Sequence, residues 1–427
     1  MKLRNYVKLL PCDKDETILV NLLNKAIIKV PNKVISAISE TGEITSSIRT
    51  TLDQMKHLGF LVEDSFDDHK DIQDQLRLLI HSKAIFSSYI LLTYACNMKC
   101  VYCYEGSLTD NLGNMTFEVT KKTANWIKEQ IRNNECRVLD LTFFGGEPLL
   151  NTKSLFLLTD ELGSYAKSSG IQTCFYVVTN GTKLTKILSQ RLQEQGINGL
   201  QITIDGPEQV HNSMRPLRNN KGSFDLIMEN LQNIITYAPK IRLTININVS
   251  QENYTSIFEL ITHLAASGLN HRCNINFSTI MSGNRSSNQR NPDFSLPDTV
   301  QLAASQQISL YRFAIASGFK INIKSLLRTG ACTNKKENSF VIDPGGKIYK
   351  CPTGVGVSEF FIGDIEESNK VVKDFQSKFI ELETWNNSVC LNCCYLPLCL
   401  GGCRFLSFIK TNRMDERFCQ KKSLKVI

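Results

Sequence analysis

The chain has 427 residues, 42% of them hydrophobic and 21% charged, the balance of a soluble globular protein of roughly two to four domains. Its net charge of +8 comes from scattered Lys and Arg rather than a basic block, so nucleic acid is not indicated as a partner. No apolar run is long enough to cross a bilayer, and the charged opening MKLRNYVKLLPCDKDET is unlike a secretory signal, so the reading is a cytoplasmic protein with no membrane partner.

Residues 1–80 read as a small unit of their own. ETILVNLLNKAIIKVP (16–31) predicts a two-stranded hairpin turned at Asn24-Lys25. Helices are expected over 32–40 and 46–58, the second stopped by Gly59, with a returning strand at 60–62. Helices beside a hairpin describe a winged-helix-like arrangement. The polar stretch EDSFDDHKD (63–71) reads as a linker.

From Tyr89 the pattern changes. Strand-like runs at 90–94, 138–144, 173–179, 199–204, 242–249 and 274–280 alternate with helical stretches such as 116–132, 184–195, 224–237 and 255–267. That alternation predicts an α/β fold, a partial (β/α)6 TIM-like barrel over 86–300. Every polar or glycine-rich motif falls just after a strand, the face on which β/α barrels do chemistry. Residues 281–296 read as a loop, and a helix is expected at about 298–317. The remainder, 320–427, is cysteine-rich and irregular.

Cysteine is the compositional anomaly, with 15 in the chain. Without a secretory signal these thiols stay reduced, so their clustering points to metal or catalysis rather than to a disulfide scaffold. Directly after the first barrel strand, TYACNMKCVYCYEG holds Cys96, Cys100 and Cys103 at C-x3-C-x2-C spacing. Three thiolates on one short loop can wrap one face of a cubane cluster and leave one iron without a protein ligand. A zinc site with a fourth ligand from elsewhere is the alternative. Cys12, Cys136, Cys174 and Cys273 have no partners by spacing, and packing suits Cys136 and Cys174.

With Tyr102 before the third cysteine and a parallel β/α pattern behind it, this segment resembles the radical S-adenosylmethionine superfamily. Further motifs agree in order: Gly145-Gly146-Glu147-Pro148 after the second strand, Thr179-Asn180-Gly181 after the third, and Thr203-Ile204-Asp205-Gly206-Pro207 after the fourth, with His211 and Arg215 beyond. The resemblance implies that Cys96, Cys100 and Cys103 hold a catalytic [4Fe–4S] cluster whose open iron binds S-adenosylmethionine. It implies that Tyr102, Gly145, Gly146, Glu147, Thr179, Asn180, Thr203, Asp205 and Arg215 form the cofactor site, with Glu147 meeting the methionyl ammonium. An Arg fork suits a carboxylate. His211 reads as a polar neighbour of the cofactor rather than a proton carrier.

The C-terminal cysteines, Cys332, Cys351, Cys390, Cys393, Cys399, Cys403 and Cys419, with Gly346 five residues before Cys351, resemble the SPASM extension, which carries two auxiliary [4Fe–4S] clusters. By that resemblance Cys390, Cys393, Cys399 and Cys419 hold the outer cluster, and Cys332, Cys351 and Cys403 supply three ligands of the inner one. The fourth position is either an open iron or another cysteine, Cys394 being adjacent to the array. Paired zinc ribbons are the alternative for the whole array.

SPASM enzymes modify peptide or protein side chains. The N-terminal unit resembles the leader-recognition element of enzymes that mature ribosomally made (RiPP) peptides, in which an extended leader adds as a strand to the hairpin edge. The implied function is a peptide maturase that installs a thioether or carbon–carbon cross-link in a precursor peptide. It would draw electrons from a flavodoxin- or ferredoxin-type reductant. Maturation of a protein side chain, as in sulfatase or quinone-cofactor maturases, is the alternative, and Pro352 after Cys351 departs from the sulfatase-maturing pattern. A non-catalytic leader-binding or electron-transfer protein is a third reading.

Overall fold

The computed structural model describes residues 1–39, 45–106, 108, 113–280, 304–321, 327, 331–367 and 369–424. The N-terminal unit contains β1 (Lys2–Leu3), β2 (Val7–Asp13), β3 (Glu16–Asn21), β4 (Ile27–Pro31), α1 (Asn32–Ser39), α2 (Ser46–His57) and β5 (Leu61–Val62). The expected hairpin is β3–β4, and Lys25 takes a positive φ of 66° in its turn. Strand β2 pairs with the other side of β3, so the hairpin is part of a three-stranded meander, and β1 pairs with β5. Thr45 caps α2, which buries Ile48, Leu52 and Met55 against Leu19, Val30 and Phe60.

The expected linker is the start of a helix, α3 (Asp68–Ile80). Asp67 accepts from the His69 and Lys70 amides as its cap, and Asp68 and Asp71 place acid in its first turn. Those polar residues hid a helix whose Ile72, Leu76 and Ile80 share one buried face. That face does not close the N-terminal unit on itself. With Tyr6 it packs on Ile380, Trp385, Cys390 and Leu400 of the C-terminal region. Arg77 Nε and Nη2 grip Glu383 at 2.7 and 2.9 Å on the same seam.

The barrel strands are β6 (Ile85–Leu91), β7 (Val138–Phe144), β8 (Gln172–Thr179), β9 (Ile197–Thr203), β10 (Arg242–Val249) and β11 (Cys273–Thr279). All pair in parallel in chain order, so the expected six-unit partial barrel is present. Helices α4 (Phe117–Asn133), α5 (Thr152–Ser168), α6 (Lys186–Glu194), α7 (Glu208–Met214), α8 (Phe224–Tyr237) and α9 (Ile257–Ala266) connect them. The first strand lies upstream of its expected position at 90–94. The apolar run outlasts the strand, and Thr93 and Tyr94 already belong to the loop, where the Tyr94 hydroxyl donates to Asp343 at 2.7 Å. The expected loop at 281–296 lies outside the described residues, while α10 (Ala304–Ala316) falls within the helix expected at 298–317.

The C-terminal region is more regular than its sequence suggests. β12 (Ser339–Ile342) pairs in parallel with the open edge of the barrel at β6, and β13 (Lys347–Tyr349) and β14 (Phe361–Asp364) continue antiparallel. The result is one nine-stranded sheet. Phe340 of β12 stacks on Phe86 at 5.6 Å and meets Trp126 edge-on at 5.2 Å, so barrel and tail share a core.

Candidate active site

The loop after β6 carries the first three cysteines and is strapped to the barrel rim. The Lys99 and Val101 amides donate to Pro216 and Met214 carbonyls, each at 3.0 Å, and Arg218 Nε donates to the Cys96 carbonyl at 2.5 Å. From the β8 end, Asn180 Nδ2 donates to Asn97 Oδ1 at 2.8 Å, and Asn97 Nδ2 returns a bond to Thr182. Cys96, Cys100 and Cys103 therefore line one cavity of about 300 Å³ at the C-terminal mouth of the barrel. Tyr102, Gly145, Gly146, Thr179, Asn180, Thr203 and Arg215 line the same cavity. Burial pushes the Cys96 and Cys103 thiols up to about 12, so a metal must displace their protons.

Two expected cofactor contacts stand behind the wall instead. Glu147 is fully buried, and its carboxylate accepts from the Thr179 hydroxyl at 2.6 Å, the Asn180 amide at 2.7 Å and the Leu149 amide at 3.0 Å. It ties the β7 turn to the β8 end rather than reaching for an ammonium. Asp205 is likewise buried, accepting from the Asn248 amide at 2.7 Å and bonded to the Tyr102 hydroxyl. Burial raises both carboxyls, opposed by these hydrogen bonds.

Gly145 and Gly146 are also required by the backbone behind them. Gly145 sits at φ 125°, and Gly146 lies so close to Ala95 that an added Cβ would stand 2.7 Å from the Ala95 carbonyl carbon. The Gly146 amide donates to Thr93 and the Glu147 amide to Ala95, at 3.0 and 2.9 Å. The turn thus nests against the backbone of the cysteine loop itself.

Tyr102 is held at its hydroxyl by Arg215 Nη1 at 2.6 Å and Asn248 Nδ2 at 2.9 Å. Arg215 Nε is buried without a hydrogen-bond partner. Burial alone would lower its charge affinity, but Cys100, Tyr102 and Asp205 raise it well above the ordinary value. A fixed cation with a spare N–H in this cavity suits a carboxylate. His211 is a strut. Its Nδ1 accepts the Asp205 amide, so Nε2 carries the hydrogen and bonds Ser223 at 3.0 Å, whose hydroxyl donates to the Arg215 carbonyl. Burial pushes His211 down to about 3, which keeps it neutral. The sequence reading missed Asn246, Asn248 and Ser278, which also line the cavity. The signal was present in RLTININV, whose Asn residues alternate with buried Ile on a barrel strand.

The C-terminal cysteines fall into two groups. Cys390, Cys393, Cys399 and Cys419 line one small cavity of about 90 Å³. Cys332, Cys351 and Cys403 act on one another electrostatically, and burial pushes the Cys351 thiol up to about 12. Cys394 packs against the apolar cluster of Val20, Leu22 and Leu398. Among the others, Cys136 and Cys273 are buried, Cys174 is half-buried and Cys12 is exposed.

The model of the radical SAM superfamily matches residues 90–264, which hold every cavity-lining residue named above except Ser278. The chain is similar to mycofactocin maturase MftC of Mycolicibacterium smegmatis, at 24% identity over 76% of this chain and 79% of that protein. It is also similar to the cysteine-type anaerobic sulfatase-maturating enzyme of Clostridium novyi, at 23% identity over 72% and 85% of the two chains. Streptococcus suis SuiB, solved bound to precursor peptide SuiA, shares the fold with a TM-score of 0.55 at 15% identity over 99% of both chains. Among the described residues no helix is long and apolar enough to cross a membrane. A radical SAM domain implies S-adenosylmethionine and a [4Fe–4S] cluster, and three thiols around a cavity also lined by Arg215, whose Nε has no hydrogen-bond partner, fit both. Residues 90–264 accordingly match the radical SAM superfamily, and the chain that carries them is an enzyme.

Proposed function

We propose that this chain is a peptide maturase that removes a hydrogen atom from a residue of a ribosomally made precursor peptide and closes an intramolecular thioether or carbon–carbon cross-link. The observation that carries the reading is the shared cavity of Cys96, Cys100, Cys103 and Arg215 at the barrel mouth. When bound there, the cluster and S-adenosylmethionine supply reductive cleavage of the sulfonium and a radical able to take hydrogen from an unactivated C–H bond. The chain's own residues do the rest. Cys96, Cys100 and Cys103 would hold the cluster, Arg215 would offer its spare N–H to a carboxylate, and the Tyr102 ring forms a wall of the cavity, its hydroxyl already bonded to Arg215 and Asn248. Gly145, Gly146, Thr179, Asn180 and Thr203 complete the cofactor site, with Glu147 and Asp205 supporting it from behind. We assign Cys390, Cys393, Cys399 and Cys419 to one auxiliary [4Fe–4S] cluster and Cys332, Cys351 and Cys403 to a second, a count of three clusters.

The peptide reading is supported by the maturase relative and by the fold shared with SuiB, which binds a precursor peptide. Within the winged-helix-like unit β2 covers one side of the hairpin, so β2 and β4 are the two edges of this sheet, and we take β4, the hairpin's own edge, as the one for a leader strand. Ile27 on that strand is 49% exposed. We take the enzyme to work in the cytoplasm with a flavodoxin- or ferredoxin-type electron donor. A second reading, maturation of a protein side chain, is favoured by the similarity to the sulfatase-maturating enzyme and opposed by Pro352 after Cys351. Mass spectrometry of candidate substrates co-expressed with the chain tests the proposal. A loss of about two daltons per cross-link in a short precursor is expected from removal of two hydrogens. An unmodified precursor beside a modified sulfatase would overturn it.

A further inference from the structure

Three basic side chains lie buried around the inner cysteine trio, none of them in an ion pair among the described residues. Lys350, Lys335 and Arg404 are 0, 3 and 5% exposed. Lys350 Nζ donates to the carbonyls of Lys336 and Ser339 at 2.5 and 2.6 Å. Lys335 Nζ donates to the carbonyls of Cys399, Leu400 and Gly402 at 3.0, 2.7 and 2.6 Å. Arg404 bonds the carbonyls of Phe379 and Leu382 and, at 3.4 Å, Asn334 Oδ1. Among the described residues none of the three makes an ion pair with a carboxylate. Two N–H donors beside the trio, Arg404 Nε and Asn334 Nδ2, are buried with no hydrogen-bond partner. Cys332 is near enough to act electrostatically on all three cations.

Carbonyl oxygens satisfy hydrogen bonds but do not neutralise charge, and several like charges buried together are unfavourable unless something anionic sits among them. Spare N–H donors in the same place need acceptors. A thiolate-bound iron–sulfur group meets both needs, because it is anionic and its sulfurs accept hydrogen bonds. We propose that Lys335, Lys350 and Arg404 form a cation cage for the iron–sulfur group held by Cys332, Cys351 and Cys403 and raise its reduction potential. The inference rests on the assignment of that trio to an auxiliary cluster. Adding one electron to the group adds one negative charge and makes or breaks no bond, so fixed positive charge at its edge favours the reduced form. Lys335 also bonds the Cys399 carbonyl, which places it between the trio and the four-cysteine cavity. Lys350 directly precedes Cys351 of the trio and, among the described residues, bonds the Lys336 and Ser339 carbonyls rather than the backbone of the four-cysteine group, so it is the cleaner probe.

The test uses full-length protein carrying Cys96→Ala, Cys100→Ala and Cys103→Ala, reconstituted anaerobically so that only C-terminal iron remains. Iron and sulfide are counted, and reduction is followed by EPR-monitored titration with and without Lys350→Met. The expected result is unchanged iron, one couple left in place, and about a tenfold lower ratio of reduced to oxidised cluster for the other at fixed potential, or about 59 mV for one electron. Lys350→Arg should restore it. If Lys350→Met fails to fold, Lys335→Met is read the same way, with both couples expected to fall. Full iron with unmoved couples overturns the cage while leaving the cluster assignment intact. An iron count that does not drop in Cys332→Ala overturns the assignment itself, and the cage with it.

Discussion

Gly146→Ala adds one methyl group at the cavity wall and should disable the active site through the backbone behind it. A methyl group there would stand 2.7 Å from the Ala95 carbonyl carbon, closer still to the Tyr94 and Ala95 carbonyl oxygens, where ordinary contact begins at 3.4 Å. The obstacle is backbone, which cannot rotate away, so the cysteine loop must retreat by roughly 0.7 Å or more, an overpacking cost of about 1–3 kcal/mol. Misplacement of a reacting group by about 1 Å typically costs about a hundredfold in rate. The expected outcome is a folded protein with normal C-terminal iron, depleted iron at the first site and at least a tenfold loss of 5′-deoxyadenosine formation. Gly163→Ala is the control. It lies within α5, its added Cβ meets nothing nearer than 3.8 Å, and it should be neutral or stabilising. Gly146→Ala with full iron and wild-type cleavage would refute the claim that the turn positions the cysteine loop.

Two further outcomes are expected. Cys390→Ala should lose iron from the four-cysteine cavity and, because Cys390 also packs against Ile72, Leu76 and Trp385, increase hydrogen exchange in α3; unchanged exchange would separate the seam from the metal site. His211 makes stability depend on pH. Its folded value of about 3 lies below the ordinary 6.5, so above 6.5 both states are neutral, and as pH falls the unfolded chain takes up a proton that the folded one refuses. Acidification from pH 7 to 5 should therefore cost the barrel about 2 kcal/mol more in wild type than in His211→Gln, measured by denaturant unfolding. Equal losses in the two proteins would mean that the ring is not held neutral.

The cysteine loop and the strand-end motifs were legible because each is local: spacing within one loop, and position after one strand. The six parallel strands were legible for the same reason, since their apolar runs alternate with helical periodicity. What stayed hidden depends on partners distant in sequence. Glu147 looks like a ligand in GGEP, and only the fold shows that its oxygens are consumed by Thr179, Asn180 and Leu149. Helix α3 was obscured because its cap and first turn are as polar as a linker, while the surface that buries Ile72 and Leu76 lies some 300 residues on. β12 needs the open edge of β6, a feature of a barrel that stops at six strands and not of the SFVI tetrapeptide. In sequence the buried Lys335, Lys350 and Arg404 are part of the scattered basic charge, because burial is a property of the assembled sheet.

The most direct measurement is EPR of the anaerobically reconstituted, dithionite-reduced protein before and after S-adenosylmethionine is added. The account predicts that one of the iron–sulfur signals changes on addition, that 5′-deoxyadenosine forms, and that Cys96→Ala abolishes both while C-terminal iron remains. Zinc in place of iron at Cys96, Cys100 and Cys103, or undiminished cleavage by Cys96→Ala, would contradict it.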